Sequence, residues 1–288
     1  MKYALYLGCL IPAREIGYEL SARRTLQALG VDLTDISGAS CCAPFSIQSL
    51  DYLSWLALAS RNLCLAEEMG LNILALCNDC YESLMMVNKI LKQEKGLKDQ
   101  VNEILSKVGK EFKGKVEVKH MIDVLYEDVG LDKMADFVKR PLKGLRVATQ
   151  PGCHLVRPRM LHGGIGLEFE ALDQLVKILG AEPVSYERRD VCCGGPLRDI
   201  DDDLARSLSR DKLASIKKAN IDCLITVCPF CYIQFDLGQM ELQSLRKEEF
   251  NVPVLHFTEL LSLAMGFDPT DVELKEHRIP ITKLLQKL

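Results

Sequence analysis

Ten of the twelve cysteines of this chain form two copies of one five-cysteine pattern. Each copy has a lone cysteine, then an adjacent pair, then a CxxC pair. The members are Cys9, Cys41, Cys42, Cys77 and Cys80 in the first copy and Cys153, Cys192, Cys193, Cys228 and Cys231 in the second. The last four positions of the two copies are 151 residues apart, and the lone cysteines are 144 apart. This repetition indicates an internal duplication, and five thiols per copy are typical of a metal centre.

The composition is that of a globular protein with room for two domains. The chain has 288 residues, of which 48% are hydrophobic and 26% charged, and this length suits two domains of ordinary size. A net charge of −4 favours neither nucleic acid nor an anionic membrane surface as a partner. No apolar run approaches the roughly 20 residues of a membrane helix, so no membrane span is predicted. Many cysteines in a long, helix-rich chain favour a reduced, cytoplasmic location over a disulfide-rich secreted one.

Short apolar runs alternate with longer amphipathic ones along both halves. This alternation is typical of βαβ units, so we predict an α/β fold of two similar Rossmann-like domains with parallel sheets, related by the duplication. Turn and charge signals at residues 139–144 mark the seam. The predicted domains are therefore residues 1–140 and residues 141–288, each with one five-cysteine set.

Each cysteine group follows a predicted strand and precedes a predicted helix. Ligand sites of open parallel sheets gather at the carboxyl ends of the strands, so three distant segments can converge on one point. Helix amino ends at that edge also favour thiolates over thiols. The sequence therefore predicts one thiol-lined pocket in each domain.

Five thiols suit an iron-sulfur cluster better than a zinc ion. A structural zinc takes four ligands in a closed tetrahedron, which leaves one cysteine of each set unused. Adjacent cysteines such as Cys41 and Cys42 have Cα atoms only about 3.8 Å apart, a spacing that suits neighbouring atoms of a larger cluster. Zinc at one site remains an alternative. The cysteine run of ordinary ferredoxins is absent from the sequence.

The segments around these cysteines resemble the CCG-domain family. They are YLGC at 6–9, ASCC at 39–42, LCNDCY at 76–81, PGCH at 151–154, VCCGGP at 191–196 and VCPFC at 227–231. The whole chain is similar to the B subunits of heterodisulfide reductase from methanogenic archaea. The resemblance implies that each set holds a noncubane [4Fe-4S] cluster. It also implies that the two clusters together reduce the mixed disulfide of coenzyme M and coenzyme B.

One position departs from the family pattern. Ala43 follows the first cysteine pair where Gly194 follows the second. Because alanine tolerates fewer backbone conformations than glycine, we expect a different loop at the first site.

Electrons must arrive from another chain, since the sequence has no flavin or nicotinamide fingerprint. The resemblance implies a ferredoxin-like C subunit as the immediate donor, which in turn is supplied by a flavin-containing A subunit associated with hydrogenase or formate dehydrogenase. Two alternatives stay open. One is the iron-sulfur subunit of a lactate, glycolate or succinate oxidoreductase, and the other is a non-catalytic zinc or cluster scaffold.

Four residues outside the cysteine sets are candidates for the reaction itself. The sulfonate of coenzyme M and the phosphate and carboxylate of coenzyme B call for basic side chains. Arg14, Arg157 and Arg159 follow the lone cysteines and are the predicted anion contacts; surface arginines that only aid solubility are the alternative. His154 directly follows Cys153 and is predicted to donate a proton to a departing thiolate. The alternative is a hydrogen bond to the cluster or backbone.

Two further histidines and the two remaining cysteines are predicted to be structural. His120 and His256 each end a predicted strand, a repetition that favours buried, hydrogen-bonded support. Cys64 and Cys223 have no partner in the other half, so we expect them to act as small buried hydrophobic residues.

Overall fold

The chain folds into two α/β lobes, each built on a four-stranded parallel sheet. The computed structural model describes residues 1–161, 168–198, 200–274 and 277–288, with only the backbone described at 158–161 and 168–169. The strand order is β2-β1-β3-β4 in the first lobe and β6-β5-β7-β8 in the second. The two sheets thus have the same topology, which confirms the predicted pair of similar parallel-sheet domains.

Four short strands make up each sheet. Those of the first lobe are Lys2–Tyr6, Asp32–Asp35, Ile73–Ala75 and Val118–His120 (β1 to β4), and those of the second are Arg146–Gln150, Glu182–Pro183, Cys223–Thr226 and Val254–His256 (β5 to β8). The central strands β3 and β7 are buried along their whole length because helices cover both faces of a parallel sheet. The predicted boundary between residues 140 and 141 falls between β4 and β5.

The helices fill the connections between strands. In the first lobe they are Ile11–Arg14, Ile16–Ala28, Phe45–Leu50, Tyr52–Met69, Asn78–Gln93, Lys95–Ser106, Met121–Asp123 and Leu131–Asp136 (α1 to α8), with a π-helical turn at Val124–Val129. In the second lobe they are Cys153–Leu161, Glu168–Ile178, Asp202–Lys218, Pro229–Arg246, Phe257–Ala264 and Thr282–Lys287 (α9 to α14), with 3₁₀ turns at Gly195–Leu197 and Pro269–Val272. No helix in these described ranges is long and apolar enough to cross a membrane.

The helices after the CxxC motifs begin earlier than the sequence predicts. We expect them to begin at Tyr81 and Tyr232, but α5 begins at Asn78 and α12 at Pro229. Proline is well tolerated in the first turn, where its missing N–H has no partner to lose. The second cysteine of each CxxC motif therefore lies in a first helical turn, close to the positive end of the helix dipole.

Two equivalent helices, α4 and α11, follow the adjacent cysteine pairs and begin with the same cap. The Asp51 carboxylate accepts a hydrogen bond from the Ser54 N–H at 2.9 Å, and the Asp201 carboxylate accepts one from the Leu204 N–H at 3.0 Å. These caps are 150 residues apart. Residues that are 150 apart in the sequence therefore occupy equivalent positions on α4 and α11.

Loss of the first cap has a modest, measurable cost. Changing Asp51→Ala is expected to lower the urea concentration at the unfolding midpoint measurably, because one N–H at the start of α4 loses its acceptor. Asp51→Asn keeps an acceptor oxygen and should retain most of the stability. Urea unfolding of the two variants measures the difference, and equal losses would show that charge, not capping, is the source.

Buried polar contacts hold the lobes in one orientation. Helix α13 of the second lobe packs against α2 of the first, where Ser21 Oγ lies 2.7 Å from Thr258 Oγ1. The Tyr18 ring stacks on the His256 ring at 3.6 Å, and the same imidazole bonds the buried Glu15 carboxylate at 2.8 Å. On the other side of the interface, α5 packs against α9. This contact brings the first CxxC helix next to the helix that begins at Cys153.

Candidate metal centres and the cavity between the lobes

Each lobe gathers its five cysteines at the carboxyl edge of its sheet. In the first lobe, the lone cysteine follows β1, the adjacent pair follows β2 and the CxxC pair follows β3; the second lobe repeats this arrangement. The lone cysteine and the CxxC pair thus flank the point where the strand order reverses, which is where open sheets bind ligands. All twelve cysteines are free thiols.

The second set forms a continuous row of sulfur contacts. Cys153 Sγ lies 3.8 Å from Cys192 Sγ, and hydrogen bonds continue the row through Cys193 and Cys231 to Cys228. Hydrogen bonds from the Cys153 and Cys193 thiols, together with the Gly194 N–H, lower the pKa of Cys192 to about 2. N–H and S–H donors aimed at one sulfur favour its thiolate form, which is the form that binds metal.

In the first set, hydrogen bonds link Cys41, Cys42, Cys80 and Cys77 in a row, and the set has a more open position. Hydrogen bonds from Cys41 and Cys80 lower the pKa of the Cys42 thiol to about 4, and Cys80 also bonds Cys77. Cys9 and Cys41 are exposed to solvent, whereas the other three cysteines of this set are buried. In the second set, no cysteine is exposed. The first site therefore faces solvent and the second is enclosed.

The two sets meet at the lobe interface. The Cys77 thiol donates a hydrogen bond to Cys228 of the other lobe, and the Asn78 N–H is aimed at the same Cys228 sulfur. The Asn78 side chain also crosses the interface and donates to the Pro151 carbonyl at 2.6 Å. The two cysteine sets consequently adjoin each other at the lobe interface.

The donor set fits iron-sulfur ligation in both lobes. Thiolates are the usual ligands of such clusters, and hydrogen bonds to sulfur are a known means of tuning them. The residues that would hold the two groups are the two five-cysteine sets, and each set supplies one sulfur more than a tetrahedral zinc site accepts.

A cavity of about 260 Å³ opens between the lobes beside the second set. Cys153, Cys193, Cys228 and Cys231 line it from the second lobe, and Asn78 lines it from the first. Three apolar side chains also line it and are exposed at their outer parts: Phe45, Ile200 and Phe230. The cavity is thus a largely apolar chamber with thiols at its wall, large enough for a small organic molecule.

His154 lines this cavity next to Cys153. Its Nδ1 atom bonds the Glu82 carboxylate and lies 3.6 Å from Asp79 Oδ1. Burial alone would lower the pKa of the imidazole, but the two carboxylates raise it to about 9. Burial raises the pKa of Asp79 to about 7. These contacts hold a protonated imidazole at the cavity wall.

Neither Arg14 nor Arg157 is among the residues that line the thiol cavity. Arg14 is exposed and lines a different cavity, of about 500 Å³, on the Tyr18 side of the interface. Arg157 is exposed on α9 and is not among the residues that line the thiol cavity. The Arg159 side chain lies outside the described residues.

One arginine that lines the thiol cavity was not predicted from the sequence. Arg198 bonds Gln234 at 2.8 Å and Glu241 at 2.7 Å. Arg198 lies just after the VCCGGP segment, and this position could have indicated a place near the cysteines. The neighbouring Asp199 and Asp201 instead suggest an acidic helix start.

The repeated histidines and the two unmatched cysteines have the predicted structural roles. His120 and His256 are buried and each is the residue before a helix, where its backbone N–H bonds an acidic side chain three residues later. Cys64 and Cys223 are also buried.

The sequence of the chain matches the cysteine-rich domain family CCG at residues 3–85 and 147–236. These two segments cover both five-cysteine sets. The chain belongs to the CCG family.

Several CCG proteins are similar over their full length. The chain is 40% identical to the B-type subunit of the Ferredoxin/F(420)H(2)-dependent CoB-CoM heterodisulfide reductase of Methanosarcina acetivorans, covering 100% of this chain and 97% of that protein. It is 38% identical to a protein of Archaeoglobus profundus that is named for its likeness to the same type of subunit, covering 94% and 93%. It is also 33% identical to the membrane anchor subunit of the 8-methylmenaquinol:fumarate reductase of Wolinella succinogenes, covering 98% and 99%. The names place these relatives in multi-subunit oxidoreductases.

A solved structure shares the fold. The crystal structure of a hypothetical protein from Helicobacter pylori superposes with a TM-score of 0.77 at 16% identity, covering 98% of this chain and 52% of that one. The likeness supports the two-lobe α/β architecture.

The residue after each CCG cysteine pair has a positive φ in both loops. Ala43 has φ of 53° and Gly194 has φ of 88°, both in the left-handed region. A Cβ at Gly194 would lie 2.7 Å from the Ala205 carbonyl oxygen, so only glycine fits there. The segments that follow differ: the helix α3 follows Ala43, whereas the 3₁₀ turn Gly195–Leu197 follows Gly194.

A second glycine of this CCG chain, Gly152, also lies too close to a neighbouring side chain to accept a Cβ atom. Gly152 has φ of 83°, and a Cβ there would lie 2.3 Å from Asn78 Nδ2. We expect Gly152→Ala to lower the free energy of unfolding by about 2 kcal/mol and to loosen the lobe contact beside Cys153. Gly70→Ala is the control, since Gly70 has φ of 64° with nothing within 4 Å of its Cβ position. Equal losses in urea unfolding would show that backbone strain, not the Asn78 clash, is responsible.

Proposed function

We propose that this CCG protein is the catalytic B-type subunit of a heterodisulfide reductase. It reduces the mixed disulfide of coenzyme M and coenzyme B to two thiols, using two noncubane [4Fe-4S] clusters. The observation that carries the proposal is the meeting of two complete five-cysteine sets at Cys77 and Cys228, beside a cavity that both lobes line. The 40% identical relative, named as part of a CoB-CoM heterodisulfide reductase, supports the choice of substrate.

Two adjacent metal sites suit the electron count of the reaction. Cleavage of one S–S bond consumes two electrons and two protons and forms two thiols. When bound, each cluster supplies one electron at a time. Two sites in contact can therefore deliver the pair to one substrate without releasing a sulfur radical.

The protein's own side chains bind the substrate and handle the protons. The apolar walls formed by Phe45, Ile200 and Phe230 pack against the substrate and exclude water from the disulfide. His154 donates a proton to a departing thiolate and is recharged through Glu82, which bonds its ring. We propose Arg157, Arg159 and Arg198 as contacts for the anionic ends of the substrate. Arg14 would contact these anionic ends only if they reached the cavity on the Tyr18 side of the interface.

Electrons reach the clusters from partner chains. Cys9 and Cys41 are the solvent-exposed residues of the first set, so we propose that the donor docks there. The family relationship favours a ferredoxin-like C subunit as this donor, supplied by a flavin-containing A subunit, with hydrogenase or formate dehydrogenase in the larger cytoplasmic complex.

A second candidate is the equivalent subunit of a fumarate- or succinate-linked oxidoreductase. The apolar cavity and the 33% identical relative named as a subunit of 8-methylmenaquinol:fumarate reductase favour it. In that setting the cysteine sets would carry electrons without reducing the heterodisulfide.

Anaerobic purification followed by metal analysis and a dye assay tests the proposal. Iron and acid-labile sulfide are expected at about four of each per lobe, together with reduction of the coenzyme M–coenzyme B heterodisulfide by a reduced viologen dye. Iron and sulfide without that activity would favour the second candidate. Zinc alone would favour the non-catalytic scaffold.

A further inference from the structure

A buried lysine lies directly behind the second cysteine set. Lys212 on α11 is 0% exposed. Its ammonium group donates hydrogen bonds to Gln150 Oε1 at 2.6 Å, to the Arg189 carbonyl at 3.1 Å and to the Val191 carbonyl at 2.5 Å. These three acceptors are neutral oxygens. A full positive charge is therefore enclosed next to the loop that carries Cys192.

The corresponding position of the first lobe is neutral. In the register given by the two caps, Lys212 corresponds to Asn62 on α4, which is also 0% exposed. The Asn62 amide donates to the Cys41 carbonyl at 3.1 Å and accepts from the Ser40 N–H at 2.9 Å. The cysteine pairs follow a register of 151 residues, in which Val191 corresponds to Ser40, the residue whose N–H bonds Asn62. An amide and an ammonium group thus perform the same loop-fixing task in the two lobes.

Lys212 keeps its charge near neutral pH despite its burial. Burial lowers the pKa of the ammonium group only to about 8. Near neutral pH the group is therefore mostly protonated. In the first lobe, Arg61 bonds the Gly38 carbonyl at 2.9 Å, but it lies at the surface, where water and salt screen its charge.

We propose that Lys212 raises the reduction potential of the second metal site above that of the first, so that electrons entering at the exposed site collect at the cavity. The proposal rests on the function above, in which both cysteine sets hold clusters. A buried positive charge stabilises an added electron far more than a surface charge does, because the surrounding protein has a low dielectric constant. Net charge near a cluster is one of the determinants of its potential.

The proposed step transfers one electron and nothing else. The first site is oxidised and the second is reduced, across the lobe contact at Cys77 and Cys228. Lys212 touches neither substrate nor cysteine sulfur in the hydrogen-bond network described, so it acts as a positioning and tuning residue rather than a catalytic one.

Redox titration of the isolated second site tests the proposal. In a chain with Cys41 and Cys42 changed to alanine, the remaining cluster belongs to the second lobe, and its midpoint potential is measured by electron paramagnetic resonance. Lys212→Gln is expected to shift the one-electron equilibrium at least tenfold toward the oxidised form, a decrease of about 59 mV. Lys212→Arg keeps the charge and should restore most of the potential. Lys218→Gln removes a charge from the same helix at a side chain 77% exposed and should leave the potential unchanged.

Two results would overturn the inference and one would overturn the function instead. An unchanged potential in Lys212→Gln with normal iron content refutes the role of Lys212, as does an equal decrease in Lys218→Gln. If Lys212→Gln does not accumulate as folded protein, Lys212→Met removes the same charge at similar volume, and its potential decides in the same way. Absence of iron from the unaltered protein overturns the proposed function, and with it the premise of this inference.

Discussion

Changing Cys41 and Cys42 together to alanine is expected to abolish reduction of the coenzyme M–coenzyme B heterodisulfide. In the proposed function these two residues are two of the five sulfur ligands of the first site, and hydrogen bonds from Cys41 and Cys80 favour the thiolate form of Cys42. Without that site, the second can deliver only one electron at a time, which does not complete the cleavage of an S–S bond. The viologen-coupled assay measures the loss, and iron content should fall to about half.

Cys64→Ala is the matched control for this experiment. Cys64 is a buried thiol of the same lobe, 2% exposed, and belongs to neither five-cysteine set. Its alanine variant should keep full iron content and turnover. Near-normal turnover in the double variant, with half of the iron lost, would refute the scheme in which both sites serve one substrate.

Changing His154→Gln is expected to lower kcat by about a hundredfold to ten-thousandfold, the range found when a general acid is removed. His154 lines the cavity beside Cys153, with its ring held by Glu82. Glutamine can still bond Glu82 but cannot donate a proton readily. KM should change little, because the side chain is proposed to act on the leaving thiolate rather than on substrate binding.

The Glu82→Gln variant distinguishes a role of His154 in proton transfer from a role in packing alone. It keeps the shape of the side chain and removes the charge that orients and supports the imidazole, so we expect a smaller decrease in kcat than in His154→Gln. If kcat were unchanged in His154→Gln while cluster content stayed normal, His154 would be a structural neighbour of Cys153 only. Iron analysis of both variants excludes cluster loss as the cause.

Much of the fold could be predicted because its signals are local. The central strands β3 and β7 are short runs that are buried on both faces, and such burial requires mostly apolar residues. The predicted starts of α5 and α12 were less accurate, since each helix begins three residues earlier than expected. Asn78 and Pro229 lie in the first helical turns, although a CxxC motif by itself does not indicate whether its second cysteine is helical.

The sequence did not predict the surroundings of individual side chains. Arg14 and Arg157 both follow a lone cysteine, yet one lines a separate cavity and the other is exposed. Arg198 reaches the thiol cavity from a segment with the character of an acidic helix start. Lys212 is one lysine among many on an amphipathic helix, and only its burial distinguishes it.

The sequence by itself determined the duplicated α/β architecture and the ten cysteines, because repeated spacing and apolar periodicity can be recognised without knowing which distant residues are in contact. Only the tertiary structure decided that Cys77 meets Cys228, that the first set faces solvent while the second faces a cavity, and that a lysine is buried behind the second set where the first has Asn62. The physical reason is that these features depend on how the lobes pack and which groups lose water. Both follow from contacts between residues far apart in the chain.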